Sequence, residues 1–469
     1  MFGLDLPGTA VVTDDGREVS YAELKRMTDE WAAKVPQRSL VFLLVGNNLD
    51  SLVAYVACLN HGIVPLMLDA HIDGQLLQRF IEVYRPDFIW RPGESGYVLE
   101  RGQRPEDEGQ RALYDELALL LTTSGSTGSP KLVRQSYANI RANTQSIVEY
   151  LKLDATERPI TTLPMNYTYG LSIINSHLAA GATILLTDKS LMQREFWDFF
   201  AAQGATSFGG VPYTYEMLDK LMFFRRKLPS LRTMTQAGGK ILPALHRKFA
   251  EYAQREGKNF VVMYGQCEAT ARMSYLPPER ALDKVGSMGI AIPGGRFELR
   301  SGEVGELRSG EVGELVYYGD NVTLGYAECA EDLSKGDERH GRLETGDMAR
   351  VDEEGFYYIV GRKKRFLKIF GNRVNLDETE RLIKDRFPGM DCACGGMDDK
   401  MKIYVAKLGS GGVEELGSWK AVCSRIRDFV AEKTHLNFTA FDVVQIDSIP
   451  KNASGKTLYS ELGSREVGK

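Results

Sequence analysis

Between Thr122 and Lys131 the chain reads Thr-Thr-Ser-Gly-Ser-Thr-Gly-Ser-Pro-Lys. Gly125 and Gly128 let a backbone come close to a ligand. Unpaired N–H groups in such a loop form a nest for anions. The hydroxyls of Thr123, Ser124, Ser126 and Thr127 add donors and a metal contact, and Lys131 adds a point charge. This is chemistry suited to a polyphosphate, and a solvated Ser/Thr/Gly turn is the plain alternative. It is not a Walker A loop, which needs Gly, four residues, then Gly-Lys-Ser/Thr. Here Gly128 is followed by Ser-Pro-Lys-Leu.

Other stretches offer complementary groups. In Tyr264-Gly265-Gln266-Cys267-Glu268, a Tyr ring can stack on a base, and Glu268 is a hard oxygen ligand of the kind Mg²⁺ takes alongside phosphates. Gln236-Ala237-Gly238-Gly239-Lys240 is a glycine turn where backbone can lie against a flat ring. Asp347, in Thr-Gly-Asp, can accept from two ribose hydroxyls, and Arg362 can reach the same sugar or a phosphate. Tyr167, Tyr169 and Gly170 sit in an aromatic loop before a helix; as core aromatics they need no function. Lys456, on a Ser-Gly turn in the tail, is either a mobile cation that can swing into a site or a solvated side chain.

These residues need a frame that presents them at strand ends. The runs Leu40–Val45, Gly62–Leu68, Ala118–Leu121, Thr183–Leu186, Ala205–Phe208 and Phe260–Met263 read as buried strands. Helical segments alternate with them: 17–35 behind a Ser20 cap, 52–59, 136–151, and a helix ending near Ala180. Alternation of this kind predicts an α/β fold with mostly parallel, helix-flanked sheets. Residues 300–315 hold the octapeptide Arg-Ser-Gly-Glu-Val-Gly-Glu-Leu twice in tandem. An even insertion preserves the side-chain alternation of a strand, so the duplication reads as an extended surface hairpin.

Composition sets outer bounds. A chain of 469 residues is too long for one typical domain. A net charge of −5 with no strongly basic half argues against nucleic acid as the main partner. No apolar run is long enough to span a bilayer, and the first residues lack a signal-peptide pattern. The six cysteines, Cys58, Cys267, Cys329, Cys392, Cys394 and Cys423, form no zinc spacing. A reducing cytoplasm is the simplest expected compartment.

In order along the chain, the Thr122–Lys131 loop, the Tyr264–Glu268 stretch, Thr345-Gly-Asp347, Gly361-Arg362 and the closing Pro450-Lys-Asn-Ala-Ser-Gly-Lys456 resemble the signatures of the acyl-adenylate-forming superfamily, the AMP-dependent synthetases and ligases. The resemblance covers essentially the whole chain and is closest in kind to acyl-CoA synthetases. It implies a large N-terminal domain, 1–361, holding the ATP and acyl sites, and a small mobile α+β domain, 362–469, turning on a hinge at Lys364. It implies that Thr123–Gly128 with Lys131, Gly238, Gly239, Tyr264–Gln266, Asp347 and Arg362 hold ATP and AMP. It further implies that Glu268 and Thr127 hold Mg²⁺, that Tyr167, Tyr169, Gly170 and Gly239 line the acyl pocket, and that Lys456, Glu268 and Thr127 serve catalysis. Cys267 stands where relatives carry a hydroxyl residue, so no phosphate role carries over to it. Residues 164–170 contain no carboxylate, and a buried ammonium needs a partner, so an α-amino acid substrate is disfavoured. The expected reaction is AMP-forming activation of a small carboxylic acid, followed by transfer to the thiol of coenzyme A. The alternative acceptor is the phosphopantetheine arm of a carrier protein. A degenerate member that binds nucleotide without ligating, or an ADP-forming ATP user, are the other classes.

Overall fold

The computed structural model describes residues 1–105, 109, 111–122, 131–300, 310–363, 365–370, 372–407, 418–451, 457–459 and 461–462. The chain forms two compact units. One comprises Met1–Glu298 and Val316–Leu343, the other Leu299–Leu315 and Glu344–Lys469.

The larger unit is built on a seven-stranded sheet in the order Gly325–Ala327, Leu132–Ser136, Leu117–Thr122, Val64–Asp69, Leu40–Val45, Phe88–Gly93, Gly96–Arg101. Its centre, from Leu117–Thr122 to Phe88–Gly93, is parallel, and the flanking strands are antiparallel. Leu40–Val45 is buried along its whole length, which fits its continuous apolar sequence. The helix Leu49–Asn60 connects it to Val64–Asp69. A second sheet runs Ser207–Gly210, Thr233–Gln236, Asn259–Tyr264 in parallel, then turns antiparallel through Ser274–Tyr275 and Ile290–Ala291. The predicted Ser20 cap is present: its side chain accepts from the Glu23 amide at the start of helix Tyr21–Ala32.

One element differs from expectation. Leu132–Ser136 is a strand, antiparallel to Leu117–Thr122, with all five residues buried. The hydroxyl-rich loop therefore joins two strands of a hairpin, and the predicted helix, Tyr137–Leu151, follows the second strand behind a Ser136–Asn139 capping box. Arg134 and Gln135 conceal the strand in the sequence. Arg134 is fully buried because backbone carbonyls of Leu324, Tyr326 and Gly336 and the Glu338 carboxylate satisfy its guanidinium.

The smaller unit has its own core, in which Ile383, Met390, Cys392, Cys394, Ile403, Val405, Val422, Ile426 and Val430 pack together. They come from the sheet Met390–Met397, Lys400–Lys407, Phe441–Gln445 and from the helices Leu376–Arg386 and Trp419–Thr434. In the tandem octapeptide, residues 301–309 lie outside the described residues. The second copy ends in the strand Val312–Tyr318, where Leu315 is buried. All six cysteines are free. Among the described residues no helix is long and apolar enough to cross a membrane.

Candidate active site

The strand Leu117–Thr122 ends at the nucleotide loop. Thr123, Ser124, Gly125, Ser126, Thr127 and Gly128 lie outside the described residues, as do Lys364 and Lys456. Lys131, just past the loop, has its Nζ 3.9 Å from the centre of the Tyr326 ring and 3.2 Å from a Glu328 oxygen. Tyr326 is brought there by the edge strand Gly325–Ala327, in which it pairs with Val133.

Tyr326 links two residues that the sequence singled out. Its hydroxyl donates to Glu268 Oε1 at 2.7 Å, so the phenol stands between Lys131 and Glu268. The Arg339 guanidinium lies 4.6 Å from the same ring. Burial, then the Glu268 charge and the hydrogen bond to it, hold the Tyr326 phenol well above its usual range, so it remains a donor. The Glu268 backbone is fixed as well: its carbonyl accepts from the Thr323 amide and hydroxyl, both at 3.0 Å, and from Arg339 Nη1 at 3.1 Å. The result is a carboxylate with one oxygen occupied by a neutral donor, a fixed backbone and two cations beside its tyrosine. A hard oxygen donor set for Mg²⁺ fits this arrangement, because the metal takes one or two carboxylates and completes its shell with phosphate and water.

Tyr264 ends the strand Asn259–Tyr264, and Gln266 Nε2 donates to its hydroxyl at 3.1 Å. A Cβ on Gly265 would run into the Ala271 carbonyl. Gly238, at φ +82°, lies so close to Tyr167 that a Cβ would meet the phenol oxygen at 2.5 Å. Gly239 packs on Pro212. Gly170 is required by the nearby Pro164 carbonyl. Tyr169 and Gly170 lie in the first turn of the helix Thr168–Ala179 rather than in the preceding loop. The rings of Tyr167 and Tyr169 meet edge-on at 6.3 Å, and Tyr169 donates to or accepts from Thr235 Oγ1 at 2.7 Å. Burial, with a smaller push from Cys267, raises the Tyr167 phenol to about 12. Two buried amide oxygens here, Gln236 Oε1 and Asn166 Oδ1, have no hydrogen-bond partner among the described residues. Buried acceptors are nearly always satisfied, so both mark places for a ligand or water.

In the smaller unit, Asp347 and Arg362 face each other across an antiparallel pair, with Arg362 Nε 3.4 Å from Asp347 Oδ1. Asp347 is buried and Arg362 exposed. On either side of residues 452–456, Lys451 and Thr457 form a β-bridge. Lys451 Nζ is 2.6 Å from Asp391 Oδ2, and Tyr459 donates to Glu380 at 3.1 Å under the Arg365 guanidinium. The structure thus groups Lys131 with Glu268, Tyr167 with Tyr169 and Gly238, and Asp347 with Arg362.

Tyr326, Arg339 and Thr323 were not anticipated. Each lies more than fifty residues from Glu268 in sequence, and no local pattern marks any of them.

Comparison with known proteins gives this architecture its class. The structure of O-succinylbenzoate coenzyme A synthetase from Bacillus subtilis in complex with AMP superposes with a TM-score of 0.78, covering 98% of this chain and 96% of that one at 20% identity. ATP-bound MatB from Rhodopseudomonas palustris superposes with a TM-score of 0.77 over the same shares at 23% identity. The fold is that of the acyl-adenylate-forming enzymes. The family model for AMP-binding enzymes matches residues 5–327. The 2-succinylbenzoate–CoA ligase of Bacillus licheniformis is 26% identical over 446 residues, which span 90% of this chain and 88% of the relative. The chain belongs to the AMP-binding enzyme family and is an AMP-forming acid–thiol ligase of the acyl-CoA synthetase type.

Proposed function

We propose that the protein activates a carboxylic acid with Mg-ATP, releasing pyrophosphate and forming acyl-AMP, and then passes the acyl group to coenzyme A. The observation that carries this reading is the Lys131–Tyr326–Glu268 arrangement, which sets a metal-competent carboxylate beside the cation of the nucleotide loop. A carboxylate attacking the α-phosphate is an anion approaching an anion, so the site must neutralise charge and hold the reactants in line. Mg²⁺, when bound, supplies charge neutralisation on the phosphates. Glu268 and Thr127 are the residues that would hold it. Thr123–Gly128 and Lys131 cradle the phosphates. Tyr264, Gly265, Gln266, Gly238 and Gly239 take the adenine, and Asp347 with Arg362 takes the ribose. Tyr167, Tyr169 and Gly170 border the acid. Lys456 bridges the acid carboxylate and the α-phosphate during adenylation. The part that carries Lys456 is residues 362–469, turning at Lys364. Coenzyme A is favoured over a carrier protein because the named relatives are CoA ligases.

The test is mass spectrometry of one reaction containing enzyme, Mg-ATP and a pool of carboxylic acids, with and without coenzyme A. AMP with one acyl-CoA is the expected product. Acyl-AMP that accumulates and ignores coenzyme A makes a carrier protein the acceptor. No AMP with any acid, despite nucleotide binding, leaves a degenerate member. Lys456→Ala is expected to slow adenylation far more than thioester formation from added acyl-AMP, and equal loss in both half-reactions rules out the assigned role.

A further inference from the structure

Lys451, which precedes Lys456 in the closing stretch, has no part in the reaction set out above. In the smaller unit it belongs to one of two side-chain clusters that flank residues 452–456. On the near side, Lys451 Nζ lies 2.6 Å from Asp391 Oδ2 and Lys384 Nζ 3.0 Å from Asp391 Oδ1, so each oxygen of this buried carboxylate takes one lysine. On the far side, the Tyr459 hydroxyl donates to Glu380 Oε2 at 3.1 Å, and the Arg365 guanidinium lies 3.8 Å from the centre of the Tyr459 ring. Glu380 Oε1 accepts from Arg365 Nη2 and, at 2.6 Å, from the Cys394 amide. Arg365 in turn donates to Asp377 Oδ1 at 2.8 Å and to the Cys394 carbonyl at 2.6 Å.

Between the clusters the chain is fastened to itself. Lys451 and Thr457 form a β-bridge, and the Leu458 amide donates to the Pro450 carbonyl at 2.8 Å. Both clusters draw on one frame: Glu380 and Lys384 stand a turn apart on the helix Leu376–Arg386, and Asp391 and Cys394 lie on the strand Met390–Met397. The two lysines on Asp391 are 32% and 33% exposed, and ion pairs open to water add little stability. The apolar core of the unit serves that purpose. What the two clusters have in common is that each holds one end of the segment carrying Lys456.

We propose that Lys451 and Tyr459 are positioning residues that act through Lys456, each fixing one end of residues 452–456 on the helix–strand frame. This rests on the ligase reading above, in which Lys456 bridges the acid carboxylate and the α-phosphate. A lysine is a point charge on a flexible stem, so a fixed backbone is needed to aim it, and misplacement by about 1 Å costs about 100-fold in rate. Arg365 directly follows Lys364, the proposed hinge residue. The Tyr459 cluster therefore fastens the Lys456 segment to the chain that leaves the hinge, and the segment follows any rotation there.

The experiment separates the two half-reactions for the acid that the pooled reaction above converts to its acyl-CoA. Adenylation is read by ATP–pyrophosphate exchange, and thioester formation by acylation of coenzyme A from the synthetic acyl-AMP. Lys451→Met leaves Asp391 its bond to Lys384, and Tyr459→Phe leaves Glu380 its bonds to Arg365 and Cys394, so both variants are expected to fold. Each is expected to lower kcat for exchange about tenfold or more, while KM for ATP and the thioester step stay within about twofold. Lys451→Arg should restore exchange. Lys384→Met, which opens the same cluster from outside the Lys456 segment, should leave exchange unchanged. In a Lys456→Ala background, Lys451→Met should cost nothing further, because the two changes remove one function. Equal losses in both half-reactions, an equal loss from Lys384→Met, or additive losses with Lys456→Ala make the clusters structural and overturn the proposal. Full exchange in Lys451→Met and Tyr459→Phe, with Lys456→Ala alone slow, overturns it too and leaves the ligase standing. If Lys456→Ala slows both half-reactions alike, the role of Lys456 falls and this inference falls with it, whereas no exchange with any acid overturns the ligase reading itself. Should Lys451→Met fail to fold, Tyr459→Phe, which removes a single oxygen, decides alone.

Discussion

Tyr326 holds Glu268 by one hydrogen bond of 2.7 Å while its ring rests between Lys131 and Arg339. Tyr326→Phe removes the hydroxyl and keeps the ring. A hydrogen bond to a charged group contributes about 1.5–3 kcal/mol, so the Mg²⁺ concentration for half-maximal pyrophosphate exchange is expected to rise about tenfold or more, with folding retained. Glu268→Gln should be worse, and adding Tyr326→Phe to it should cost little further, since the two changes break one interaction. Additive losses in the Mg²⁺ titration would show that Tyr326 does not act through Glu268. Glu268 and Lys131 were legible because their own neighbours announce them: a strand, a glycine and the required side chain fall within a few residues. Tyr326 and Arg339 were not, because nothing local separates Leu-Gly-Tyr-Ala from ordinary core sequence. Only pairing of the edge strand with Leu132–Ser136 brings Tyr326 to the site.

At the scale of the element, the turn after the strand Asn259–Tyr264 is tightly constrained. Thr270 has φ +61° and Ala271 φ +151°, both unusual for residues with a Cβ, and such strain collects where the surrounding structure over-determines it. The Thr270 hydroxyl donates to the Asn321 carbonyl at 2.7 Å, and the Thr168 hydroxyl donates to the Thr270 carbonyl at 3.2 Å. The second bond ties the turn to the helix Thr168–Ala179 and the first ties it to the segment that carries Asn321. Ala271 reaches back so far that Gly265 has no room for a Cβ against its carbonyl. Gly265→Ala must move that backbone, at about 1–3 kcal/mol. It is expected to lower Tm by several degrees and to raise KM for ATP, both absent from a control Gly257→Ala in an open turn apart from the strain of its own φ. An unchanged KM would mean the turn does not set the nucleotide site. The strands on either side were readable as apolar runs bounded by polar residues. The strain was not, since it follows from two strands fixing the ends of a turn and no residue in Glu-Ala-Thr-Ala-Arg demands it. The Leu132–Ser136 strand was missed for a related reason: Arg134 is polar in sequence and apolar in position, its charge met by Glu338 and its donors by carbonyls from a distant segment.

For the molecule as a whole, the buried histidines tie stability to pH in one unit and not the other. His177 and His246 lie in the larger unit, where burial pushes each ring down to about 4. His435, in the smaller unit, is exposed. A histidine free in the unfolded chain titrates near 6.5. Between pH 6.5 and 4 the unfolded state therefore binds more protons than the folded one, so stability falls as pH falls through that window and is fully restored above it. From pH 7 to pH 5 each ring is expected to remove about 2 kcal/mol from the larger unit. Because the units have separate cores, a single unfolding free energy does not describe the chain, and the two should be followed separately. Scanning calorimetry at pH 7, 6 and 5 is expected to show the larger unit's transition moving down while the smaller unit's stays within a few degrees. His246→Gln should remove about half of that movement, since an amide can still donate to the Ala281 carbonyl that His246 Nε2 contacts at 2.9 Å. Equal movement of both transitions, or none, would place the acid sensitivity elsewhere than in these two rings.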